Sequence, residues 1–453
     1  MLKFAHEEVP EFKVSPYRWL ILFAFFNLLV SISSVQTSLT PVCQPLAVAF
    51  KVKTIVVTMS SIIFSITYIP VTFIAIKMFK EMSLSKVFRI ACVIAIFGAW
   101  IRVLAEESKS FTWILIGYTV ISLAYPILLS AITLICNKWL GDSERTVITQ
   151  LCGLAIPIGT IVSFVLSGFI FSDPNTLIAD TKRLVFVQNI WITSFASLLF
   201  IVIRDKPESP PSAVATQDQP RRNLALVFKE VFKLRSYVLL LVVFGLVDGS
   251  FISFSSIMSV LFAHYNLPGQ PIVYSTAWIS TYGGVTAVFG VMSSMICGCF
   301  LQRTHKYLLT TRIVCLFTTV MILVGLYTIP SEQNYYVLGN FVLLGIVMVP
   351  IIPVSMNFGS ELTFPIAPIM TNGILLMVGQ GMGGVLGIVE TLLADYSVRV
   401  TLSSYGVLGG IAFACSIFIK EDLKKTEFAK KARLDSIRIS RMQSVEIKKL
   451  LAE

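Results

Sequence analysis

RDKPESPPSAVATQDQPRRNLALVFKEVFKLR, residues Arg204 to Arg235, is a long polar break inside an otherwise apolar chain. Its first part, rich in Pro, Ser, Ala and Gln, has too little apolar surface to bury and reads as a flexible linker. Its second part, Arg222 to Arg235, spaces Leu224, Val227, Phe228, Val231 and Phe232 at helical intervals with basic residues between them. That pattern predicts a basic amphipathic helix on a membrane surface, or an extension of the apolar run that follows. On each side of the break lie about six runs long enough to cross a hydrocarbon core of about 30 Å. The chain therefore divides into an N-terminal tail (1–16), a six-helix half (17–203), the linker (204–235), a second six-helix half (236–419) and a basic tail (420–453).

Composition agrees with that division. Of 453 residues 55% are hydrophobic and 13% charged, and the mean hydropathy is +0.81. Soluble globular chains carry about twice that share of charge, so the class is integral membrane. The first 16 residues, MLKFAHEEVPEFKVSP, hold three glutamates and no apolar core. No cleavable signal peptide is expected, and the first span serves as the insertion signal. If both tails and the linker share one side, that side carries 29 of the 36 Lys and Arg. Such a bias places both termini in the cytosol. The net charge of +11 then faces the anionic inner leaflet, and nucleic acid is not an expected partner. In the tail, the spacing of Leu434, Ile437, Arg438 and Arg441 predicts a basic helix against that leaflet.

Several function classes are excluded by what is missing. No Gly-Lys pair occurs, so there is no P-loop and no expected ATP hydrolysis. Three histidines and eight cysteines, the latter nearly all within apolar runs, offer no usual zinc cluster. The Cys297-Gly298-Cys299 pair reads as packing on a lipid-embedded helix. No nucleophile, base and orienting group converge, so no enzyme is expected; neither metal nor cofactor is called for.

Duplication is visible at two places. LGDSERT (Leu140 to Thr146) and FGSELT (Phe358 to Thr363) each follow the fourth span of their half, and each puts Ser then Glu at the predicted start of the next helix. Ser143, Glu144, Ser360 and Glu361 are expected as helix caps; the alternative is a gate in which Glu144 and Arg145 exchange partners across the halves. The basic turns KEMSLSKVFR (Lys80 to Arg89) and LQRTHKYLLTTR (Leu301 to Arg312) also correspond. Twelve spans, a central linker and duplicated halves give an all-α integral membrane protein of the major facilitator architecture, its substrate cavity between the halves.

One residue resists that apolar setting. In VFGLVDGSFISF, Val243 to Phe254, Asp248 falls twelve residues into the seventh span, about 18 Å along a helix. Facing lipid there would cost about 3 kcal/mol or more, so it should face the cavity. It is either a hydrogen-bonded structural carboxyl, a counter-charge for a cationic solute, or a proton-coupling group. Tyr125 either stacks on a solute or packs; Trp278 and Tyr282 read as core. Glu390 lies nearer the outer surface, where partial hydration would support it. Gly381, Gly383, Gly384 and Gly387 permit close helix approach.

ELTFP (Glu361 to Pro365), NGILL (Asn372 to Leu376) and Gln380, together with TYIP (Thr67 to Pro70), GAWIR (Gly98 to Arg102) and KWLGDSER (Lys138 to Arg145), resemble the feline leukaemia virus subgroup C receptor-related family. The resemblance implies a carrier of choline or ethanolamine, of haem, or in a distant branch of a vitamin B6 form. Residue by residue, Gln380 occupies the place of the family's eleventh-span glutamine. Gln36 replaces a first-span tryptophan, Ile252 a seventh-span tyrosine and Tyr125 a fourth-span glutamine. The aromatic cage for a quaternary ammonium is thus depleted, and Asp248 offers a point charge in its place, which suits a protonated amine. The expectation is a monomeric solute carrier for a small organic cation, working by alternating access in the plasma membrane or an organelle membrane. Haem, porphyrin or vitamin-like export is the alternative, and a non-transporting receptor a third.

Overall fold

The computed structural model describes residues 15–105, 110–171, 176–207, 209, 211, 224–266, 273–366 and 368–421. Lipid leaves no backbone polar group free to pair with water, so a spanning chain of this composition must close its hydrogen bonds within helices. Among the described residues twelve helices are long and apolar enough to cross a membrane. The first six spans are Tyr17–Thr37, Thr54–Glu81, Leu84–Ile101, Phe111–Trp139, the pair Asp142–Gly153 and Ala155–Ile170, and Leu177–Val202. The second six are Arg235–Ala263, Thr276–Thr304, Tyr307–Thr328, the pair Asn334–Met348 and Ile351–Leu362, Pro368–Tyr396, and Val398–Ile417. A short helix, Cys43–Ala49, continues the first span, and a linker helix, Leu224–Val231, precedes the seventh. The tenth span breaks at Pro350, which lacks an N–H to continue the ladder and caps the second piece.

The two halves repeat one packing scheme. In the first, span one packs on five and six, two on four, and three on four and six; in the second, seven packs on eleven and twelve, eight on ten, and nine on ten and twelve. The halves meet where span two lies against eleven and span five against eight. The first seam explains the glycine run: a Cβ on Gly387, Gly384 or Gly381 would press into Ile62, Ile66 or Ile69 of span two. Glycine at every third position lets two backbones approach where any larger residue would hold them apart. At the second seam a side chain on Gly283 would enter the Phe164 ring.

The surface where the first span begins is here the terminal face, and the other the opposite face. At the opposite face the Gln44 backbone N–H donates to Ser259 Oγ of span seven at 3.3 Å, linking the halves. At the terminal face the linker helix buries Val227 and Val231. Its Phe228 stacks on Phe73 of span two, with ring centroids 5.9 Å apart. The predicted amphipathic helix therefore forms with its apolar side on the bundle. The expected tail helix around Leu434 to Arg441 lies outside the described residues, as do residues 1–14.

One repeat-based expectation is overturned. Glu144 lies in the first turn of Asp142–Gly153 as predicted, whereas Ser360 and Glu361 lie in the last turn of Ile351–Leu362 and cap no following helix. Ser360 instead donates to the Met356 carbonyl of its own helix at 2.8 Å. The next helix starts at Pro368, where a residue without an N–H forfeits nothing.

Candidate functional site

Asp248 stands at the middle of the seventh helix and is 4% exposed. A carboxylate needs lateral room, and Gly379 of span eleven provides it: a Cβ there would fall on Asp248 Oδ2 and on the Phe244 ring. The hydroxyls of Tyr68 and Tyr125 lie within electrostatic reach of the carboxylate. No Lys, Arg or His is bonded to Asp248 among the described residues, so this acid is held by burial without a protein counter-charge. The next residue after Gly379, Gln380, is 8% exposed. Its Oε1 accepts from Ser65 Oγ of span two at 3.1 Å, a hydrogen bond between the halves at the depth of the carboxylate.

Aromatic and hydroxyl groups complete the surroundings. Tyr125 is buried with its ring edge-on to Phe64 at 5.7 Å and to Tyr68 at 6.2 Å. Its hydroxyl lies beside Ser33 Oγ of span one, and the hydroxyls of Ser34 and Thr37 are buried with no hydrogen-bond partner. Buried hydroxyls are rarely left so, and this run of them on span one has hydrogen bonds to offer a polar solute. Gln36 lies within this run and is 9% exposed; no hydrogen bond joins it to Asp248. Ile252 packs on Gly383 of span eleven. It therefore serves the contact between spans seven and eleven, one helical turn from Asp248. An enclosed space of about 10 Å³ near this depth, lined by Thr160, Phe164, Phe251 and Gly283, is separate and too small for a solute.

Two six-helix halves with one packing scheme, meeting around a buried acid, make a decisive combination with the sequence profile of the Major Facilitator Superfamily, which matches residues 18–388. The chain belongs to that superfamily. Curated relatives include a choline/ethanolamine transporter of Danio rerio, flvcr2a, 25% identical over 83% of this chain and 80% of its own length. The choline/ethanolamine transporter FLVCR2 of Rattus norvegicus is 26% identical over 82% of this chain and 68% of its own. The resemblance read from the short motifs therefore holds. Among solved structures, a D-xylose-proton symporter superposes with a TM-score of 0.67 at 12% identity, covering 90% of this chain and 98% of its own. An inward-facing bacterial homologue of the lysosomal transporter Spinster gives 0.65 at 14%, over 90% and 99%. The chain is a multi-pass membrane transporter of this superfamily with a small-molecule substrate.

Within this major facilitator fold the residues expected as gate or caps have these partners. Glu144 receives Arg18 of span one, Nε to Oε1 at 3.0 Å and Nη2 to Oε2 at 3.3 Å, a pair inside one half. Among the described residues Glu144 has no partner across the halves, and Arg145 lies beside it on the same helix. Glu361 is buried, within electrostatic reach of the Tyr307 hydroxyl of span nine. Glu390, expected near the outer surface, is 1% exposed. Its partner is Ser404 Oγ of span twelve, which lies 2.7 Å from both carboxylate oxygens and 2.7 Å from the Thr401 carbonyl. Trp278 and Tyr282 stack at 5.9 Å in an aromatic core, as their spacing predicts.

Sequence reasoning missed Ser65, Tyr68, Gly379 and the Ser33, Ser34 and Thr37 hydroxyls. Only the Ser and Thr density of span one, SISSVQTSLT from Ser31 to Thr40, was visible as a signal.

Proposed function

We propose that the chain carries a small organic cation bearing a protonated amine, of the size of ethanolamine or choline, by alternating access without ATP. The observation that carries this reading is Asp248, a buried carboxylate with no cationic partner among the described residues, beside Gly379 and within electrostatic reach of Tyr68 and Tyr125 of the other half. An ammonium in that space supplies the missing charge. Its N–H groups can donate to the carboxylate and to Gln380 Oε1, and its hydroxyl can pair with groups such as Thr37 and Tyr125. A quaternary ammonium has no N–H to give, and the aromatic faces it would use are reduced by Gln36 and Ile252. The relatives named as choline/ethanolamine transporters support the same substrate class. No observation favours haem: His264 sits at a span end with its Nε2 against the Ala394 carbonyl at 2.5 Å.

Purified protein in liposomes, offered ethanolamine, choline, haem and pyridoxine, tests the reading. Ethanolamine uptake exceeding choline uptake is the expected result; uptake of haem or pyridoxine with neither amine carried would overturn it. The terminal face is proposed as the cytosolic one, on the partition of basic residues. A cysteine placed at Lys51, on the opposite face, should then react with an impermeant maleimide on intact cells, whereas one at Ser209 should react only after permeabilisation. The reverse pattern would invert the topology.

A further inference from the structure

Arg102 ends the third span at the opposite face and is 1% exposed. A buried guanidinium ordinarily meets a carboxylate, because the desolvation of an unpaired charge is severe. Here its partners are neutral: Nη1 donates to Gln188 Oε1 at 3.0 Å and Nη2 to Asn189 Oδ1 at 2.5 Å, both on span six. The Tyr118 ring lies 5.4 Å from the guanidinium carbon. Among the described residues no carboxylate bonds to Arg102. Asp180, the acid of span six, is engaged by Thr176 at 2.6 Å and Arg183 at 3.1 Å.

The amides add to the imbalance. Both turn their oxygens to the guanidinium, which fixes their nitrogens as donors. Gln188 Nε2 and Asn189 Nδ2 are buried with no acceptor. A buried cation and two unpartnered N–H donors therefore share one locus, where an acceptor of negative charge is the missing partner. Arg102 also lines a cavity of about 40 Å³ with Thr181, Lys182, Val103 and Phe50. That space has room for a halide-sized ion.

We propose that Arg102, supported by Gln188 and Asn189, forms a binding site for a small monovalent inorganic anion of chloride size, separate from the site at Asp248. The anion neutralises the guanidinium that joins spans three and six. Through Tyr118, whose hydroxyl lies 2.9 Å from Ser38 Oγ, and Ser167, which donates to the Ser38 carbonyl at 2.5 Å, the same locus reaches spans four, one and five. Gly168, beside Ser167, packs on Ser280 of span eight across the halves. Occupancy should therefore stabilise the opposite-face end of the bundle.

The test is thermal unfolding of the full-length protein in detergent, in sodium chloride, bromide or gluconate at equal ionic strength. Chloride and bromide should raise the midpoint over gluconate by about 3 °C or more, as a ligand of the folded state does. Thr181→Leu fills the cavity and gives up only a hydrogen bond to its own helix, at Leu177; it should remove the halide effect while the protein stays folded. Arg102→Gln should remove it too, and if that variant does not fold, Thr181→Leu alone decides. Equal midpoints of the unaltered protein in all three salts would overturn the proposal, and so would a halide effect that survives Thr181→Leu.

Discussion

Asp248→Asn is expected to weaken binding of a protonated amine by about 5- to 150-fold, the scale of about 1 to 3 kcal/mol for one charge-assisted hydrogen bond. The fold should persist, because the amide is nearly isosteric, cheaper to bury than a carboxylate, and placed in the same space beside Gly379. Gln380→Ala should weaken the same ligand by less, since it removes a neutral group. It should also lower stability, because Gln380 ties span eleven to Ser65 of span two. If Asp248 instead couples protons, the Asn variant keeps solute exchange across the membrane but loses accumulation driven by a pH gradient. Equilibrium binding and gradient-driven uptake measured on the one variant separate these outcomes. Unchanged affinity with unchanged pH dependence would leave Asp248 a structural group.

The fold was legible because lipid imposes coarse rules: apolar length, a polar break at Arg204 to Arg235 and the one-sided distribution of Lys and Arg suffice for two halves of six spans. Asp248 was legible for the same reason, as the one acid in the middle of a span. What stayed hidden depends on which way a helix faces. In water an amphipathic period marks the buried side, but a spanning helix is apolar all round, so its period carries little. Ser65 and Gln380 are 315 positions apart in sequence, and Arg102 is 86 from Gln188; no local pattern joins them. The motif GAWIR drew notice to Arg102 only as a resemblance, although the adjacent amides of span six were there to be paired with it. The Ser360-Glu361 echo misled because Pro365 and Pro368, a few residues later, delay the next helix.

Gly379→Ala should produce a loss as large as that of Asp248→Asn, about 5- to 150-fold in amine binding, although it touches no ligand. Alanine in place of glycine favours a helix by about 0.5–1 kcal/mol, so any loss must come from what the methyl group meets. It meets Asp248 Oδ2, and Phe244 Cε1 at 2.7 Å, with Asp248 Cγ at 3.3 Å. The carboxylate is the more mobile of these and has to turn away from its position beside Gly379. Because both substitutions then act through one carboxylate, the double variant should bind no worse than the poorer single one, a large departure from additivity. Stability gives the independent reading: Asp248→Ala vacates the space, so Gly379→Ala should cost little in that background and measurably more in the unaltered protein. Binding losses that simply add, with the same stability cost in both backgrounds, would mean that Gly379 serves only the contact between spans seven and eleven and does not position Asp248.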